Sequence, residues 1–61
     1  MTEFHHEITH RAARAVQSLR AAQESGDDYL VSVQEAELEN LARLAQEHGL
    51  RVPELSDYSA A

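Results

Sequence analysis

Residues 28–49 read DYLVSVQEAELENLARLAQEHG, the densest run of large aliphatic side chains in the chain. Laid out at about 100° per residue, Leu30, Val33, Leu41 and Leu44 gather on one side, with Leu38 and Ala45 on its flank. Ser32, Glu35, Glu39, Asn40, Arg43, Gln46 and Glu47 take the other side. The spacing predicts an amphipathic helix over about 28–48 with one face to bury. Asp27 or Asp28 is placed to cap its start, Gly49 to close it, and Pro53 to stop any continuation. Gln34 and Glu37 interrupt the apolar stripe. A carboxylate there needs a partner or water, and Arg11 is the cation within reach on the preceding segment.

Outward from this run, residues 4–25 repeat the helical pattern. Ile8, Ala12, Ala15, Leu19 and Ala22 recur at spacings of four and three, with Phe4 and Val16 beside them and Thr2 as a candidate cap. Alanine favours the helix but buries little area, so this stripe needs close approach to larger side chains, which residues 28–48 supply. Ser25-Gly26-Asp27-Asp28 reads as a tight turn, which forces the two helices antiparallel. The expected facing pairs are Leu30 with Ala22, Val33 with Leu19, Glu37 with Ala15, Leu41 with Ala12 and Leu44 with Ile8. In the tail, 49–61, Leu50, Val52 and Leu55 are spaced to fold back over the open end of the hairpin near Phe4 or Ile8. A frayed tail is the alternative.

The fold class this predicts is all-α: a single unit over 1–61 built as a two-helix antiparallel hairpin. A chain of 61 residues buries only about 60% of the surface its unfolded state exposes, and with no cysteine neither a disulfide nor a thiolate metal site can add stability. Association of apolar faces is what remains, so pairing of two hairpins into a four-helix dimer is expected. A polar layer at Glu37 and Gln34 would then fix register or oligomer number, as a single polar core residue does in coiled coils. No run of 18 apolar residues occurs, and MTEFHHEITH lacks the basic-then-apolar order of a signal peptide. A soluble, cytoplasmic protein is expected.

Eleven acidic residues against five arginines and no lysine give a net charge of −6. That balance argues against phosphate backbones and anionic membranes as partners. Arg11, Arg14 and Arg20 lie in the first half, whereas eight acids follow Glu24, which favours antiparallel association of the halves. The composition also permits an acidic mimic of nucleic acid. Acids spread along a solvated helix face are the plainer explanation.

Two short patterns suggest other chemistry. His6-Glu7-Ile8-Thr9-His10 is literally H-E-x-x-H and resembles the signature of zinc metalloproteases, in which the two histidines bind zinc and the glutamate is the general base. Here His6 and His10 project opposite the Ile8–Ala12 stripe, no third-ligand pattern follows, and a chain this short cannot wall a peptide cleft. The expectation is solvated histidines, with weak zinc or nickel binding through His6 and His10 as the alternative; His5 and His48 could extend this to a four-histidine cluster at the open end. Serines 18, 25, 32, 56 and 59 have no nucleophile-elbow context, and two glycines cannot build a phosphate-cradling loop.

The second pattern begins at Tyr29-Leu30-Val31-Ser32-Val33, which alternates and is rich in β-formers. It continues through the capping box Ser32-Val33-Gln34-Glu35 into LENLARLAQEHGLRVPEL. Residues 29–58 therefore resemble the ribbon-helix-helix family of bacterial repressors and antitoxins. That resemblance implies a strand at 29–33 that pairs with its dimer mate and reads DNA through Leu30 and Ser32. An apolar Leu30 at a reading position, the absence of lysine, the short final helix, the long preceding helix and the net charge all depart from that family.

The expected function is a self-associating structural or protein-binding module with no enzymatic activity. Its partners are a second copy of itself and, beyond that, another protein. The packing face is assigned to Ile8, Ala12, Ala15, Leu19, Leu30, Val33, Glu37, Leu41 and Leu44.

Overall fold

Thr2 and Asp27 start the two helices of the hairpin in the same way. Each side chain accepts a hydrogen bond from a backbone N–H three residues on, His5 at 3.1 Å and Leu30 at 3.0 Å, satisfying a donor that the helix start leaves unpaired. A computed structural model describes residues 2–58; Met1 and residues 59–61 of the expected tail lie outside the described residues. The first helix, α1, spans Glu3–Ser25 and the second, α2, spans Asp28–Glu47; a 3₁₀ helix follows at Pro53–Tyr58.

Both long helices end alike. Gly26 sits at φ 72° and Gly49 at φ 65°, the left-handed region where a Cβ is strained. At the first end Asp27 N–H reaches back to the Ala22 carbonyl at 2.9 Å and Gly26 N–H to Gln23. At the second Leu50 N–H reaches Ala45 at 2.8 Å and Gly49 N–H reaches Gln46. These paired bonds satisfy the last carbonyls of each helix and reverse the chain within two residues. Nothing lies within 4 Å of a Cβ built on Gly26, so a substitution there meets only backbone strain. Gly26→Ala is expected to lower stability by about 1 kcal/mol, read by urea unfolding, and Gly26→Asn by less.

The hairpin closes on Ile8, Ala12, Ala15 and Leu19 of α1 against Leu38, Leu41, Ala42 and Ala45 of α2, all buried, with Ala22 buried near the turn. Val52 and Leu55 complete the same cluster from the tail, and Leu50 and Tyr58 pack against it. The tail therefore does more than cover the open end near Phe4 and Ile8. It continues past Leu19, Arg20 and Gln23, so the 3₁₀ helix lies along one side of the groove between the long helices.

That third element changes which face of α2 is buried. Leu30, Glu37 and Leu44 are only partly buried and Val33 is 40% exposed, whereas Leu38, on the flank of the expected stripe, is fully enclosed. The buried face is turned by roughly a quarter of a turn towards Leu38, Ala42 and Ala45. The physical reason is the tail: a helix touching both α1 and the 3₁₀ helix buries most area when its apolar residues point between the two. Alanines at 42 and 45 let that third element approach closely.

Residues 29–33 lie inside α2, and the described residues contain no strand. The ribbon-helix-helix reading, with Leu30 and Ser32 on a DNA-reading strand, is corrected accordingly. Asp27 caps a helix that begins at Asp28, and once this first turn is formed the β-forming run simply continues it. No helix among the described residues is long and apolar enough to cross a membrane.

Candidate functional site

With the 3₁₀ helix over one side of the hairpin, the opposite side of both long helices is left open. Helical geometry assigns to it two lines of residues spaced by seven: Phe4, Arg11 and Ser18 on α1, and Leu30, Glu37 and Leu44 on α2. A spacing of seven returns nearly to the same angle, drifting about 20° per repeat, so each line runs almost straight along its helix. Of the residues that sequence periodicity marks for the core of α2, Leu41 stays in the core, while Leu30, Val33, Glu37 and Leu44 form the shoulder of this open face.

Its middle is charged. Arg11 Nη2 donates to Glu37 Oε2 at 3.1 Å, bridging α1 and α2, with side chains 45% and 36% exposed. Arg11 is the partner expected for Glu37, but the pair is reached by water and not enclosed. Within a single hairpin such a pair contributes between zero and about 1 kcal/mol. Arg11→Ala is therefore expected to shift the unfolding midpoint of the monomeric hairpin only slightly, measured at low protein concentration.

Its ends are apolar. At the open end of the hairpin the Phe4 ring meets the His48 imidazole at 4.6 Å between centroids, tilted by 59°, and Phe4 remains 40% exposed. Val33 is equally exposed near the other end, beside Leu30. The face thus reads apolar, charged, apolar along the helix direction. Phe4 and Ser18 are not in the expected packing set; the signal that finds them is their seven-residue spacing from Arg11.

The four histidines are dispersed. His6 and His10 are exposed and, with Glu3 and Glu7, border a shallow open depression on the outside of α1. The His5 ring nitrogen lies 3.1 Å from the Arg51 carbonyl oxygen on the tail side, while His48 is held against Phe4. Among the described residues, no group of three or more His, Asp or Glu side chains is placed to hold a metal ion. The four-histidine cluster is therefore corrected. α1 turns His5 towards the tail and His6 and His10 away from the hairpin, because successive residues of a helix point about 100° apart.

The cleft beside the 3₁₀ helix is lined by Ala42, Gln46, Gly49, Arg51, Pro53 and Ser56 among others. The Ser56 hydroxyl has no histidine or carboxylate beside it in that lining to act as a base, as nucleophilic chemistry would need. Asp27 is engaged as a helix cap and Asp28 stands in the first turn of α2, where the dipole favours negative charge. The arrangement with chemical content is the open face, which carries one cation, one anion, Ser18 and flanking apolar groups. No family model matches the chain, and comparisons with curated proteins and with solved structures find no match.

Proposed function

We propose that this chain is a cytoplasmic self-associating module, which acts by binding and not by catalysis, and that the open face of the hairpin takes a second copy of the same chain. The observation that supports this reading is the pairing of Arg11 and Glu37 on a face that also carries Phe4 and Val33, each 40% exposed, beside the partly buried Leu30 and Leu44. Residues of this kind on a solvated helix would ordinarily be polar. The other side of the hairpin is already covered by Val52 and Leu55.

The size of the face fits such a role. A 20-residue helix is about 30 Å long, and two side by side are roughly 20 Å wide, which makes about 600 Å² per copy. Two such faces bury about 1,200 Å², the lower end of the range for specific complexes. Net charge −6 opposes any anionic partner, a second copy included, so self-association relies on the apolar members of the face and is favoured by added salt.

Sedimentation equilibrium across concentration tests this. The expected mass rises from 6.8 kDa towards twice that value, with association weakened by Leu44→Glu. A chain that stays at the monomer mass up to about 1 mM sinks the proposal.

A further inference from the structure

The outer side of α1 carries a histidine pair that neither the hairpin nor the tail uses. His6 and His10 stand four residues apart in a helix that runs unbroken from Glu3, and the His6 backbone N–H already bonds the Thr2 carbonyl at 3.0 Å. Helical residues at that spacing are surface neighbours, with Cβ atoms about 6 Å apart, so the two imidazoles project from the same side of α1, one turn apart. Both residues are exposed, and neither ring makes a hydrogen bond, ion pair or aromatic contact with a described residue. The other two histidines are engaged, His5 with the Arg51 carbonyl and His48 with the Phe4 ring.

Glu3 and Glu7 border the same depression as His6 and His10. Each glutamate precedes one histidine by three residues, Glu3 before His6 and Glu7 before His10, which is again a neighbouring position on the helix surface. Neither carboxylate is in an ion pair among the described residues, where the pairs formed are Arg11–Glu37 and Arg43–Glu47. Arg14, one turn beyond His10, is the cation closest along this side of α1. Two carboxylates against one arginine leave the depression attractive to a cation.

We propose that His6 and His10 together clip one divalent transition-metal ion, of the copper, nickel or zinc kind, onto the first two turns of α1. Each imidazole supplies one nitrogen, and water fills the remaining positions. Glu3 and Glu7 are positioning residues: each accepts the ring N–H that faces away from the metal, which fixes the tautomer of its histidine. Nitrogen donors favour these ions over magnesium and calcium, hard cations that take oxygen ligands, and the usual order of affinity puts copper(II) above nickel and zinc. Structural and catalytic zinc sites use three or four protein ligands, so a site with two is weaker and exchanges its ion. The clip lies on the far side of α1 from the hairpin contact, so it forms in a single hairpin and in a pair alike.

Calorimetric titration of the full chain with zinc, nickel, copper(II) and magnesium salts at neutral pH tests this. One ion per chain is expected, with a dissociation constant below about 1 mM for zinc, tighter binding of copper(II), and no heat from magnesium. His6→Ala and His10→Ala each weaken zinc binding at least about tenfold, whereas His48→Ala leaves it unchanged. Both histidines are exposed, so these variants keep the fold, which circular dichroism checks. The double variant Glu3→Gln/Glu7→Gln weakens binding about tenfold, and the nitrogen NMR shifts of the two rings, which report one tautomer each in the zinc-bound wild type, then report a mixture. A single tautomer and unchanged affinity in that variant overturn the role given to the glutamates. Zinc binding that is undiminished in His6→Ala or His10→Ala, one ion shared between two chains, or a dissociation constant above about 1 mM overturns the clip itself.

Discussion

Leu38→Ala is expected to lower stability by about 3 kcal/mol, whereas Val33→Ala lowers it by less than about 1 kcal/mol. The two positions are five residues apart on α2, and the amphipathic pattern by itself ranks Val33 as the more central. In the structure Leu38 has no exposed surface and stands in the cluster with Leu41, Ala42, Val52 and Leu55, while Val33 is 40% exposed. Truncating Leu38 removes transfer energy and leaves a cavity bounded by two helices and the tail, which cannot all close in. For a chain of this size that loss corresponds to about 15 °C or more in the melting temperature. Both variants belong at one low protein concentration, since association through the open face would add its own contribution to the apparent stability. The reverse ranking would return the buried face to the line of Leu30, Val33 and Leu44.

Leu55→Asp is expected to cost at least about 3 kcal/mol and leave much of the population without cooperative unfolding. Leu55 is 2% exposed within a six-residue 3₁₀ helix, a short element whose own hydrogen bonds are too few to hold it. Its docking rests on Val52 and Leu55, so a carboxylate at the centre of that contact detaches the tail and uncovers Ala42 and Ala45. Glu54→Ala, one residue away and exposed, is the control and should stay within about 0.5 kcal/mol. Equal melting temperatures for Leu55→Asp and the wild type would mean that the tail contributes nothing and that two helices suffice.

These two substitutions divide what is legible in the residues from what is not. Helix starts, helix ends and the turn are local chemistry: Thr2 and Asp27 carry their cap acceptors, and Gly26 and Gly49 supply the left-handed residues. The buried stripe of α1 is equally local, because Ile8, Ala12, Ala15, Leu19 and Ala22 form one line with no competitor. On α2 two overlapping lines share Leu41, one through Leu30, Val33 and Leu44, the other through Leu38, Ala42 and Ala45. Periodicity ranks the first higher, since its side chains are larger. The choice between them belongs to a contact distant in sequence. Val52 and Leu55 dock on the side of Leu38 and Ala42, and the helix turns to place the second line between α1 and the tail. Hydrophobic burial depends on the area removed from water by all neighbours together, and a helix read alone contains no term for a neighbour that arrives from a later segment. The same rotation brings Leu30, Glu37 and Leu44 to the open face, where the Arg11 bond, foreseeable from charge, becomes the centre of a surface that the linear pattern does not show.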